Sequence, residues 1–313
     1  VPLKDLMYGI ALPSGADATT AIAIYLSGSE DEFVKLMNAK AEELGLKNTH
    51  FTNASGLYDP NHYSTATDIA MLMSAVMEND TCREILGTYQ YTTSVTEQHP
   101  EGIPLESTMF SRMYGNEVTG ITIEAGKTGY TSIAGNTLVT CAEKNDMTLI
   151  AVVLNGHQTH YPDTKALLDF GFDRFQILKA ADHETSYKAL DNDMTIGGMT
   201  AQDNISLELD KNSLVVIPKD ADFSDTEASL SYDLDENAPD NAIARILYQY
   251  DGHSIGQVYL CSAGQTRHIA APQAELQTES TDQTEKQPQN LLPPADRSAA
   301  VRSACRRRSI RRG

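Results

Sequence analysis

Apolar residues return every three or four positions twice within the first eighty residues of the chain. In S-E-D-E-F-V-K-L-M-N-A-K-A-E-E-L-G, residues 29 to 45, Phe33, Leu36, Met37 and Leu44 form one stripe, and Ser29 stands three positions before Glu32. That spacing predicts a helix opened by a capping box and stopped by Gly45. Thr65 and Asp68 repeat the signature ahead of a second helix whose apolar face is Ile69, Met73, Val76 and Met77. Further on, T-L-V-T-C-A and T-L-I-A-V-V-L flank the polar E-K-N-D, which predicts two antiparallel strands joined by a short turn. The second run is apolar almost throughout, so a central position in its sheet is expected. A helix from Asp163 to about Gln176, presenting Ala166, Leu167, Phe170 and Phe175, is expected to cover that sheet.

From about Leu178 the period changes to two. Ile205, Leu207 and Leu209 alternate with Ser206, Glu208 and Asp210, and Leu230, Tyr232 and Leu234 alternate in the same way. Short strands separated by D-N-D, P-K-D-A-D and D-G-H-S-I-G indicate a small all-β domain. Beyond Ala263 the pattern dissolves into Gln, Thr, Ser, Glu and Pro, with no apolar face to bury. The expected organisation is therefore an α+β domain over residues 1–177, a β-rich domain over 178–263, and a disordered tail over 264–313 that ends in basic sequence.

Charge sharpens this division. The formal net charge is −19, yet seven of the twelve arginines fall in the last 17 residues, and residues 1–296 carry 17 basic against 43 acidic side chains. Such a body repels nucleic acid and anionic lipid. The basic end, R-S-A-A-V-R-S-A-C-R-R-R-S-I-R-R-G, leaves a peripheral membrane contact open, although no apolar face accompanies it. Cys82, Cys141, Cys261 and Cys305 are widely spaced and form no C-x-x-C pair, so neither a disulfide framework nor a zinc site is indicated. His157 and His160 in G-H-Q-T-H are the one close histidine pair, with no third ligand nearby, and a loop or sheet-end location is the better reading. No metal and no cofactor are expected.

The stretch I-E-A-G-K-T-G-Y-T-S-I-A-G-N sets Lys127 between Gly126 and Gly129. Bare backbone on both sides predicts room for another molecule to approach closely. Lys127 offers a point charge, Thr128 a hydrogen bond, and Gly129 space for strand addition, a set that suits a peptide ending in a carboxylate. Earlier, L-P-S-G-A-D-A-T-T-A-I-A places Ser14 in a Pro/Gly turn leading into an alanine-rich helix. Its hydroxyl can cap that helix or relay a proton, and the segment alone does not choose.

K-T-G-Y-T-S-I-A-G-N, P-S-G-A-D-A and the block N-T-H-F-T-N-A-S-G-L-Y-D-P-N-H-Y-S-T-A-T-D-I-A resemble, in order from about Leu3 to Phe175, the serine-type D-alanyl-D-alanine carboxypeptidases, the low-molecular-mass penicillin-binding proteins. The β-rich segment resembles that family's second domain. The resemblance implies a β-lactamase/transpeptidase-like domain, an antiparallel sheet with helices, incomplete at its N-terminus and followed by the β domain. It implies removal of the terminal D-alanine from a peptidoglycan pentapeptide ending in D-Ala-D-Ala, through an acyl-enzyme that β-lactams imitate, at the outer face of the cytoplasmic membrane. By motif, Ser14 corresponds to the serine of S-x-N, which passes protons between base and leaving amine. Lys127, Thr128 and Gly129 match K-T-G. The backbone N–H of Thr131 corresponds to half of an oxyanion hole.

Two departures accompany the match. Ala16 stands where the family has the asparagine of S-x-N, and no serine in the chain has lysine three positions later. The family's S-x-x-K nucleophile and base thus have no counterpart here. Together with the Val1-Pro2 start, this predicts an N-terminally shortened chain that is inactive by itself. The alternatives are a non-catalytic module that grips D-Ala-D-Ala ends and a β-lactamase-like hydrolase.

Overall fold

Residues 1–113, 120–185, 195–196, 199–200, 206–235 and 237–263 are described by a computed structural model of the chain. Five helices open it: α1 (Leu3–Ala11), α2 (Ala16–Ser27), α3 (Glu30–Glu43), α4 (Ala66–Glu78) and α5 (Asp80–Leu86). At the start of α3 the Ser29 hydroxyl accepts from the Glu32 amide at 3.2 Å, but the Glu32 carboxylate turns to Lys35 at 2.6 Å and leaves the expected box half made. The other end is complete. Gly45 adopts φ +71°, the Gly45 amide donates to Glu42 O at 3.0 Å, and the Leu46 amide reaches back to Ala41 O at 2.9 Å. This paired arrangement satisfies two terminal carbonyls while Ala41 and Leu46 are buried. Leu36, expected in the apolar stripe, is instead 56% exposed, and the buried residue of α3 is the small Ala41.

Helix α4 follows its predicted face, with Met73 buried against Ala125 and Cys141 and with Val76 and Met77 beside it. Its cap is used differently from the expectation. Thr65 accepts from the Asp68 amide at 3.2 Å, whereas the Asp68 carboxylate accepts from the Asn48 amide and the Thr49 hydroxyl, both at 2.7 Å. An acid placed to close a capping box therefore pins a loop twenty residues upstream. The Thr49 hydrogen bond, followed by the Asn48 amide, holds the Asp68 carboxyl below its ordinary range.

A short hairpin of β1 (Gln90–Thr92) and β2 (Pro104–Glu106) and the single-turn α6 (Phe110–Met113) precede a three-stranded antiparallel sheet. Its strands are β3 (Thr122–Thr131), β4 (Gly135–Lys144) and β5 (Met147–Gly156), in that spatial order. The β4–β5 turn is Asn145-Asp146, with φ values of 52° and 63°, the left-handed pair that two-residue hairpins demand. Strand β5 lies at the edge of this sheet, not at its centre as its composition predicted. Its apolar run is explained by cover on both faces: Met147 and Ala151 pack with Leu168 and Phe172, and Ile150 packs toward Met73.

The covering helix α7 runs from His160 to Arg174 and buries Tyr161, Thr164, Leu168 and Phe172. The expected face is turned outward, with Leu167 47% and Phe170 58% exposed. Adjacent apolar pairs made two helical faces equally plausible from sequence, and Pro162 obscured a start that a first helical turn tolerates.

From α7 the chain passes directly into β6 (Phe175–Lys179), then α8 (Ala180–His183), the paired β7 (Thr195–Ile196) and β8 (Met199–Thr200), β9 (Ser206–Leu209), β10 (Leu214–Pro218), β11 (Glu227–Ser231), β12 (Ala242–Tyr250) and β13 (His253–Ala263). Strands β11, β12, β13, β10 and β6 lie side by side, and β9 also pairs with β13. Val215, Ile246, Tyr248 and Val258 form the core beneath them. Leu209 and Leu230 pack against this core and Leu207 packs with them around Ala244 and Leu260, as the alternation predicted, while Ile205 lies outside the described residues. Strand β11 stops before Tyr232 and Leu234, which are 52% and 36% exposed. There Asp235 is drawn inward by Arg245 at 2.7 Å and the Tyr259 hydroxyl at 2.6 Å, so the polar positions turn in. Residues 264–313 lie outside the described residues.

Replacing Asp68 by Asn is expected to lower the melting temperature at pH 7 more than replacing Thr65 by Ala, since only Asp68 ties the 48–49 loop to α4. Because its folded pKa lies below the ordinary 3.8, the stabilisation from Asp68 is complete above that pH and is lost as pH falls further. In thermal melts, the gap between parent and Asp68→Asn should therefore close in acid.

Candidate active site

The turn between α1 and α2 carries Ser14. Helix α1 is fixed by Asp5, buried, whose carboxylate accepts from the Tyr91 hydroxyl at 2.6 Å and the Ser94 amide at 3.0 Å. That hydrogen bond pushes the Tyr91 phenol up to about 12, and the Tyr91 ring stacks on Tyr8 at 3.8 Å. Leu12, 1% exposed, anchors the far end of the helix. The chain then reverses sharply, the Gly15 amide donating to Gly9 O at 2.9 Å, and Ser14 is forced to φ +60°. A left-handed serine costs roughly 1–2 kcal/mol, and such outliers gather where a side chain must be aimed. The residue preceding α2 is Gly15, without a side-chain cap, so the Ser14 hydroxyl does not cap the helix. It accepts a hydrogen bond from Lys127 Nζ.

Lys127 lies on β3, whose outer edge pairs with no other strand among the described residues. Besides Ser14, its ammonium donates to Thr128 O at 2.9 Å. None of the ion pairs among the described residues involves it. Burial lowers its pKa from the ordinary value, as expected for an ammonium taken from water without a counter-charge. The Thr128 hydroxyl lies 2.6 Å from that of Thr108.

The flanking glycines have a different purpose from the one expected. A Cβ on Gly126 would lie 2.1 Å from Met109 Sδ and 2.9 Å from Val139 O, and one on Gly129 would lie 2.5 Å from Thr137 Oγ1. Both spaces are filled by the protein itself. The glycines let the 107–109 segment and the neighbouring strand close onto β3.

Ser14, Lys127, Thr128, Gly129 and Thr131 all line one cleft of about 720 Å³. Asn53 to Leu57 form a rim, and Arg112, His160 and Tyr161 stand at a further wall. The Asn53 side chain accepts from the Gly56 and Leu57 amides at 2.8 and 3.1 Å, which rigidifies that rim. Ala16 lines the cleft without a polar group, and the Asn53 amide nitrogen is spent on Leu57 O at 2.9 Å. The Thr131 hydroxyl accepts from the Ala134 amide at 2.9 Å and shapes the β3–β4 turn.

Electrostatics make this cleft distinctive. Within a chain of net charge −19, no Asp or Glu is among the described residues that line it, whereas Lys127 and Arg112 are. His62 and His160, also in the lining, have pKa values lowered by burial, with Asp59 opposing the shift at His62 and Arg112 adding to it at His160. His62 Nδ1 accepts from the Thr52 amide at 3.3 Å, a structural role inside the loop. His160 begins α7, and His157 does not share its wall, so the two imidazoles do not present a common ligand site. Thr108, Arg112 and Tyr161 belong to the cleft but carried no sequence signal, because only folding brings their segments onto β3.

The sequence profile of the D-alanyl-D-alanine carboxypeptidase family matches residues 1–158. The chain is 37% identical over 176 residues to the D-alanyl-D-alanine carboxypeptidase DacF of Bacillus subtilis, covering 56% of this chain and 43% of that protein. It is 32% identical over 273 residues to DacA of Escherichia coli K12, covering 82% of this chain and 61% of the relative. The crystal structure of penicillin binding protein 5 from Haemophilus influenzae superposes with a TM-score of 0.62 at 29% identity, covering 84% of this chain and 74% of the other. The chain thus spans between about two fifths and two thirds of the length of the curated relatives it matches. With a matching profile, an α+β fold of antiparallel sheets and helices in common, and the Ser14–Lys127 pair in one cleft, the chain belongs to the D-alanyl-D-alanine carboxypeptidase family of low-molecular-mass penicillin-binding proteins.

Proposed function

We propose that the cleft is the carboxylate-holding side of a serine-type D-Ala-D-Ala carboxypeptidase site, which removes the terminal D-alanine from peptidoglycan stem peptides by acyl transfer. The observation that carries this reading is the half-buried Lys127 ammonium, hydrogen-bonded to Ser14 in a cleft whose described lining residues include no acid. A substrate carboxylate supplies the missing counter-charge, and burial strengthens the pair relative to water. Thr128 donates to the same carboxylate. The free edge of β3 pairs with the extended peptide backbone, which aligns the scissile bond with the strand.

Ser14, bonded to Lys127, relays a proton toward the leaving D-alanine amine. The Thr131 amide is half of the oxyanion hole. Attack on the carbonyl requires a serine activated by a lysine of S-x-x-K type, and no serine among these 313 residues has lysine three positions on. What this sequence contributes is the grip, the relay and one oxyanion donor. β-Lactams, which carry a carboxylate beside a strained amide, compete for the same contacts. The site of action is extracytoplasmic, at the cell wall; among the described residues no helix is long and apolar enough to cross a membrane.

Reversible binding of N-acetyl-D-Ala-D-Ala to the chain, followed by calorimetry, should be at least ~10-fold weaker in Lys127→Ala. Equal binding by the two would refute the assignment. Covalent labelling of the chain by a fluorescent penicillin would place an attacking nucleophile among these residues and overturn the division of labour above. Affinity should also depend on pH. The ammonium form binds, so affinity holds below the pKa of free Lys127 and declines as pH rises through it, starting below the ordinary 10.5 because burial lowers that pKa.

A further inference from the structure

Thr108 connects three parts of the cleft. Its amide donates to Leu12 O at 3.1 Å, two residues before Ser14, and its carbonyl accepts from the Tyr161 hydroxyl of α7 at 3.0 Å. Its hydroxyl meets that of Thr128 at 2.6 Å, close enough for a strong bond in either direction. A hydroxyl has one proton to give and two lone pairs to accept with. If Thr128 donates to Thr108, it shows the cleft only lone pairs, which repel an anion. When Thr108 donates, the Thr128 proton is free to point at the ligand, and the donated bond polarises it further.

We infer that Thr108 is a positioning residue for the bound carboxylate, donating to Thr128 Oγ1 and so presenting the Thr128 proton to the cleft. The inference rests on the reading of Lys127 and Thr128 as carboxylate ligands. Thr108 is suited to the task because neither of its backbone bonds depends on its side chain: the amide and carbonyl hold the segment between Leu12 and Tyr161, and the hydroxyl is left to orient Thr128. Its position also couples the two halves of the site. The segment that fixes the Thr128 proton is tied to the turn that aims Ser14, so the carboxylate grip and the proton relay share one reference point.

The test compares N-acetyl-D-Ala-D-Ala with its C-terminal amide in calorimetric binding to the parent chain, Thr108→Val, Thr108→Ser and Lys127→Ala. Thr108→Val should bind the acid ~10-fold more weakly, with little change for the amide, while Thr108→Ser should stay within about twofold of the parent for both. Thr108→Ala, which adds no bulk, replaces Thr108→Val if that variant lowers the melting temperature. Parent-like acid binding in Thr108→Val beside a loss in Lys127→Ala overturns the role of Thr108, as does equal weakening in Thr108→Ser. Unchanged binding in Lys127→Ala overturns instead the carboxylate reading on which the inference rests.

Discussion

A half-buried ammonium group at a strand edge, with no counter-charge among the described residues, organises this molecule. Lys127 is partly withdrawn from solvent, and its partners among the described residues are a serine hydroxyl and a backbone carbonyl. An ammonium so placed is under-compensated by its neighbours, and an anion beside it would offset that cost. Its surroundings match it: the serine is held in a strained turn, and among the described residues the strand keeps one edge unpaired and the cleft lining holds no acid despite the acidity of the chain.

The supports of this site use polar side chains more than apolar bulk. Asp5 clamps α1 through Tyr91 and Ser94, and Asp68 clamps the 48–49 loop, so each end of the helical layer is tied to a distant segment by a buried carboxylate. Thr108 does the same for the cleft wall. Such bonds are directional, and they hold backbone positions that hydrophobic contact alone leaves free to slide. Gly126 and Gly129 serve the same precision by admitting Met109 and Thr137 against the strand.

Apolar packing provides the floor beneath this scaffold. The three-stranded sheet is covered by α4 on one side and α7 on the other, which is why β5 reads as apolar while lying at an edge. Helix α7 then leads without a linker into β6, the outer strand of the second sheet, where β10 pairs with it residue by residue from Leu214 to Pro218. The helix that walls the cleft with His160 and Tyr161 is thereby braced at its far end.

By itself the sequence determined what is local. Helix caps at Ser29 and Thr65, the Asn145-Asp146 turn and the alternation leading to Leu209 are set by backbone chemistry within a few residues. K-T-G and P-S-G-A-D-A were legible as motifs, and they do meet in space through Lys127 and Ser14. Tertiary structure decided the rest. The choice between a capping and a buried-lysine partner for Ser14, the outward turn of Leu167 and Phe170, the edge position of β5 and the redirection of Asp68 each depend on a neighbour 20 or more residues away or on a second layer. A period or a cap signal records what one segment can do; which partner it meets is fixed only when other segments compete for the same hydrogen bond or the same face.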